Sequence, residues 1–153
     1  MSSVVHTHAE ALTQSPAEAV FDIATDSSRF HQFFTGFGPI PGVVAVTWLT
    51  SPPARGGKRS VKTADGATIE ENVVELARPH SHHYEIPGGF PAPFSWLVRS
   101  AQAQWSFAST DGGTRFRWDY SFVLTHPLSA LIAGPLIKLF FRVAMQRCLN
   151  NIA

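Results

Sequence analysis

The chain is short of cysteine, of charge and of unbroken apolar runs. Its 153 residues include one cysteine, Cys148, which excludes an internal disulfide and any cysteine-built zinc cluster and suits a reducing cytoplasm. Charged residues make up 15% against 44% hydrophobic, below the usual quarter or so, so this is a folding chain rather than a disordered one. The net charge of +1 supplies no broad basic field, and we expect no nucleic-acid partner. No basic stretch precedes an apolar run in Met1–His6, so no signal peptide is expected and a cytoplasmic location is. The longest greasy run, Leu128 to Phe141, is interrupted by Gly134, Pro135 and Lys138. It falls short of the roughly 20 residues a membrane span needs. Repeats, low-complexity tails, phosphate loops and Gly-x-Ser-x-Gly elbows are missing too, and we expect no cofactor.

What is there is alternation. Between Thr114 and Leu124 the even positions are Phe116, Trp118, Tyr120 and Phe122, with Arg115, Arg117, Asp119 and Ser121 between them. Successive strand side chains point to opposite faces, so this segment has one aromatic face and one polar face. Asp111-Gly112 precedes it and Arg99–Ser109 precedes that, a strong hairpin signal. A two-residue loop sets Thr110 against Gly113, Phe107 against Phe116, Trp105 against Trp118, Ala103 against Tyr120 and Ala101 against Phe122. Every aromatic then falls on one face, with small residues opposite large ones.

The rest of the chain follows the same reading. Val4 to Leu12 reads as a first strand. Ser15-Pro16-Ala17-Glu18 reads as a helix start with Ser15 as cap, the helix ending near Asp26. Ser27 to Phe34 suggests a second short helix, Gly36 to Gly42 a loop, and Val43 to Thr50 the next strand. Asp65-Gly66 joins Lys58–Thr63 to Ala67–Ala77, and a reversal at Arg78-Pro79 pairs Glu75 with His82, Val73 with Tyr84 and Glu71 with Ile86. Ile86 to Leu97 reads as a Pro/Gly loop bearing Phe90, Phe94 and Trp96. A long apolar helix closes the chain, with Pro135 expected to kink it. The length suits one core, so 1–153 is read as a single domain. Antiparallel strands with segregated helices make the class α+β.

Four segments in this order are familiar: Ser-Pro-Ala-Glu-Ala-Val-Phe-Asp-Ile-Ala-Thr-Asp (15–26), Asp-Gly-Ala-Thr-Ile-Glu-Glu-Asn-Val-Val-Glu-Leu (65–76), Gln-Trp-Ser-Phe (104–107) and Gly-Gly-Thr-Arg-Phe-Arg-Trp-Asp-Tyr-Ser-Phe (112–122). Together they resemble the START-like, or SRPBCC, superfamily and within it the bacterial polyketide cyclase/dehydrase-like proteins. The resemblance implies a helix-grip fold, a curved seven-stranded antiparallel sheet around a long C-terminal helix, with two short helices after the first strand. It also implies a cavity and a ligand-binding domain. It does not choose between carrier and catalyst.

The expected ligand is a small hydrophobic molecule, aromatic, polyketide-like or isoprenoid/lipid. Its expected walls are Trp48, Trp105, Phe107, Phe116, Trp118, Tyr120 and Phe122, with Phe141 and Met145 closing the helix side. The loops Phe30–Gly42 and Phe90–Trp96 are candidate entrance flaps. Polar candidates for the cavity are Glu71, Glu75, His82, Tyr84 and Tyr120. As a cyclase or dehydratase, the chain would use Glu71, His82, Tyr84 and Tyr120 to move protons.

The two hairpins conflict, however. A two-residue loop at Asp65-Gly66 pairs Lys62 with Ile69 and Lys58 with Val73, putting lysines on the inner face. Lysines beyond the rim, a bulge, or Glu70 and Asn72 facing inward with Arg59 would each resolve this, and we favour Glu71 inward. His6-x-His8 and His80-x-His82-His83 invite a metal. In the sheet order that the resemblance implies, their strands are separated by two others and would lie on the order of 14 Å apart, at about 4.8 Å per strand, so no metal site is expected and the histidines are read as solvated. Cys148 reads as a small core residue. A third reading is a dimerising or membrane-surface protein using the apolar 128–141 stretch, with a homodimer preferred to membrane contact.

Overall fold

The computed structural model describes residues 3–51 and 53–153. Seven strands form one antiparallel sheet: β1 (Val4–Thr13), β2 (Val43–Trp48), β3 (Lys58–Thr63), β4 (Thr68–Ala77), β5 (Ser81–Ile86), β6 (Val98–Thr110) and β7 (Gly113–Leu124). Their order across the sheet is β1-β7-β6-β5-β4-β3-β2. Two short helices, α1 (Ala17–Thr25) and α2 (Phe30–Phe33), follow β1, and a helical turn, α3 (Phe94–Leu97), precedes β6. The C-terminal helix α4 (Pro127–Ile152) grips the sheet. This is the helix-grip architecture expected from the sequence, with α3 as an addition inside the segment read as loop.

The β6–β7 hairpin has the register that its alternation dictates. Phe107 lies opposite Phe116, Trp105 opposite Trp118, Ala103 opposite Tyr120 and Ala101 opposite Phe122. All eight are buried. Only Gly112 of the turn pair takes a positive φ, of 92°.

The other two hairpins differ from expectation by one residue each, and both differences matter to the site. The β3–β4 loop holds three residues, not two, because Thr63 N–H bonds the Ala67 carbonyl at 3.0 Å. Asp65 stabilises that longer loop by accepting from Thr63 Oγ1 and from Ala67 N–H, and Gly66 takes φ 88°, the left-handed position of a three-residue hairpin loop. Val61 therefore faces Ile69 and Arg59 faces Glu71. The shift turns Lys58 and Lys62 outward into solvent. Between β4 and β5 a bulge separates Val73↔Tyr84 from Glu75↔His83. The extra residue flips β4, so Glu75 is exposed rather than sharing the inner face with Glu71.

One helix expectation also changes. Ser15 does not cap α1: Pro16 takes the cap position, with no side-chain cap bond. The Ser15 carbonyl instead accepts from buried Thr114 at 2.8 Å. Pro135, where a kink is expected, sits inside α4, a helix of 26 residues in all. Proline removes one amide donor and crowds the carbonyl four residues back, and the turns that follow, Leu136–Phe141, are wound wide as a π-helix. By length and composition α4 is therefore long and apolar enough to cross a membrane, unlike the run Leu128–Phe141 taken alone. Its inner face, with Ala133, Ile137, Ala144, Met145, Cys148 and Leu149, is buried in the core. Its outer face leaves Leu128, Leu131, Ile132 and Leu139 exposed, the surface that a contact through this stretch would need.

Candidate functional site

A cavity of about 620 Å³ lies between the sheet and α4. The sheet supplies Val61, Ile69, Ile86, Trp105, Trp118, Tyr120 and Phe122 to its wall. Phe30 and Phe34 of the α2 region, Phe90 and Phe94 of the 86–97 segment, and Ile137 and Phe141 of α4 close it. Exposed Trp96 and Ile132 line it as well, so the hollow reaches the surface beside α3 and α4.

The aromatics are held by one another. Trp105 and Trp118 stack with ring centres 4.4 Å apart, 20° from parallel. Phe30 meets both edge-on, at 6.4 and 6.1 Å. Phe141 stands edge-on to Tyr120 at 5.0 Å and to Phe122 at 5.2 Å. Such contacts fix ring orientation beyond the burial of area alone.

The polar groups gather on β3, β4, β5 and β7. Arg59 pairs with Glu71, and both are buried. The guanidinium also lies over the Tyr84 ring at 5.1 Å and the Trp48 ring at 5.6 Å. Burial outweighs the pull of Arg59 and holds the Glu71 carboxyl above its ordinary range. Tyr84 and Tyr120 meet hydroxyl to hydroxyl at 3.3 Å. Burial pushes both phenols up, so each keeps its proton. His82 is 1% exposed. Burial, reinforced by the nearby Arg59 charge, lowers its imidazole to about 3, so it is neutral near pH 7. Its Nδ1 lies 3.3 Å from the Glu75 carbonyl oxygen. A carbonyl only accepts, so Nδ1 carries the proton and Nε2 presents a lone pair. That lone pair, the Arg59 Nε and the Trp118 Nε1 are buried without a hydrogen-bond partner.

Of the residues anticipated for the site, Glu71, His82, Tyr84, Trp105, Trp118, Tyr120, Phe122 and Phe141 line this cavity. Phe107, Phe116 and Met145 are buried, but outside its lining; Phe107 packs edge-on against Phe21 of α1 at 5.3 Å. Trp48 lies behind Arg59 and is not on the wall. Arg59 is the main addition. Its signal is the alternation Arg59-Val61-Thr63, which puts the arginine on the face of an apolar residue once the loop length is right. His82 is buried rather than solvated, whereas His6, His80 and His83 lie on the outside or at half-exposed positions. β1 and β5 are separated by β7 and β6, and among the described residues no cluster of three metal-ligating side chains forms.

A curved sheet, a gripping helix and an aromatic-walled hollow that carries a polar cluster define a helix-grip, START-like protein. Residues 5–153 match the family described as "Polyketide cyclase / dehydrase and lipid transport", and the chain belongs to that family. No curated protein matches in sequence. Solved structures with this fold include a protein from Thermus thermophilus, with TM-score 0.73, 16% identity, and coverage of 96% of this chain and 93% of that one. Norcoclaurine synthase from Thalictrum flavum, a point mutant with a bound transition-state analogue, gives TM-score 0.68 at 13% identity, covering 99% and 93%. The di-domain ARO/CYC StfQ from the steffimycin biosynthetic pathway gives TM-score 0.71 at 13% identity, covering 97% of this chain and 49% of StfQ. At these identities the likeness is one of fold.

Proposed function

We propose that this chain binds a small, largely apolar molecule in the cavity between its sheet and α4. One observation carries the reading. A volume of about 620 Å³ walled by aromatics is in the range of small-molecule sites, which join an apolar lining to a few convergent polar groups. The family's description names both cyclase/dehydrase and lipid-transport proteins, and an aromatic, polyketide-like or isoprenoid guest suits this wall. A catalytic reading has its own support. Glu71, His82, Tyr84 and Tyr120, the candidate acid-base groups, all line the hollow, with a neutral imidazole whose Nε2 lacks a partner and phenols that retain their protons.

The test is a titration with an uncharged fluorescent apolar probe, followed by native mass spectrometry of the purified protein for a retained guest. Ile69→Trp, which fills the hollow from a half-buried position on β4, should weaken probe binding at least about tenfold, a loss of roughly 1.4 kcal/mol. Unchanged affinity in that variant would refute cavity binding. For the catalytic reading, Glu71→Gln should keep the probe and lose turnover of an accepted substrate.

A further inference from the structure

The arrangement of charge and lone pairs on the residues that line the cavity carries more than its greasiness. Resting on the binding reading above, the geometry points to His82 as the residue that sets specificity, by accepting a hydrogen bond from a hydroxyl group of an uncharged ligand.

Three observations converge on this. First, the ion pair buried in the wall is self-contained, because Arg59 and Glu71 neutralise each other. A carboxylate guest would compete with Glu71 for its partner, and an ammonium guest with Arg59 for its own. Stripping either partner from a buried pair is costly, so the cavity favours neutral molecules. Second, His82 Nδ1 is committed to the Glu75 carbonyl, so its unpartnered Nε2 is a pure acceptor and accepts only from a donor. Third, neighbouring groups leave that lone pair free. Tyr84, whose ring centre lies 5.1 Å from that of His82, turns its hydroxyl to Tyr120 instead. The two unpartnered donors, Arg59 Nε and Trp118 Nε1, suit acceptor oxygens elsewhere on the same guest. A buried acceptor left empty costs free energy that a ligand hydroxyl recovers.

Three probes of nearly one shape test this at pH 7.5: 2-naphthol, 2-methoxynaphthalene and 2-naphthoate. The first donates a hydrogen bond, the second only accepts, and the third is an anion. The wild-type protein should bind 2-naphthol about tenfold more tightly than its methyl ether, and 2-naphthoate more weakly than either. His82→Phe should hold the ether as before and bring the phenol to within about twofold of it. His82→Gln, whose amide oxygen restores an acceptor, should retain part of the preference. Equal affinities for phenol and ether in the wild type would overturn the inference while leaving cavity binding standing. A preference that survives in His82→Phe, or tight binding of 2-naphthoate, would overturn it as well. Failure of all three to bind would sink the cavity reading and this inference together.

Discussion

His82 carries a stability signature of its own. An imidazole in the unfolded chain titrates near 6.5, and the folded one is held down to about 3. Between those values the unfolded chain binds more protons than the native one. The contribution of His82 is therefore complete above pH 6.5 and drains away as pH falls toward 3, at up to about 1.4 kcal/mol per unit. Glu71 has the opposite sign: its folded value is raised above 4.5, so its contribution is present at low pH and lost as pH rises through the folded value. Comparing wild type with His82→Gln isolates the histidine. Urea midpoints at pH 7.0, 5.5 and 4.5 should fall more steeply for the wild type, and parallel curves would show that the native imidazole does not resist protonation. At this scale the sequence is partly legible. Trp105, Trp118 and Tyr120 are readable because one aromatic alternation fixes all three. Glu71 and Glu75 are not separable, because each depends on one extra residue in a loop or a strand, and alternation alone does not count that residue.

At the scale of the element, the hairpins show what makes a register readable. β6 and β7 carry a bulky inner face over many positions, so a one-residue slip would throw every aromatic into water. β3 and β4 carry mixed polar residues on both faces, and there the loop decides. The longer loop follows from Asp65 bonding to Thr63 and Ala67, a local preference that the Asp-Gly pair does not reveal by itself. Pro135 also acts locally. The kink expected there takes the form of a wide π-helical stretch over Leu136–Phe141, and α4 keeps Ala133 and Ile137 on the side that Ala144 and Cys148 also use. One position at the start of β7 is strict. A Cβ added at Gly113 would stand 1.9 Å from the Thr13 carbonyl oxygen of β1, a backbone atom that moves only if the strands part. Gly113→Ala should cost about 1–3 kcal/mol in urea denaturation. A loss below about 0.5 kcal/mol, well under that overpacking range, would mean that β1 and β7 are less closely joined there.

For the whole molecule, the architecture explains why a hollow survives folding. A packed interior normally fills its space. Here the sheet and α4 meet along Ala144, Met145, Cys148 and Leu149, while further up the helix Ile137 and Phe141 face an open volume. The rings around that volume brace one another, as Phe141 does against Tyr120 and Phe122. The antiparallel strands and the aromatic wall are legible because they rest on long periodic patterns, and the order of the strands across the sheet follows from the family resemblance. The closing residues Phe30, Phe34 and Phe94 come from short irregular segments whose placement has no period to read. The most direct test uses the four tryptophans as reporters. In a two-dimensional nitrogen–proton spectrum titrated with 2-naphthol, the indole signals of Trp105 and Trp118 should move and saturate together, while Trp48, outside the wall, stays nearly still. Saturable shifts absent from Trp105 and Trp118, or confined to exposed Trp96, would contradict an occupied interior.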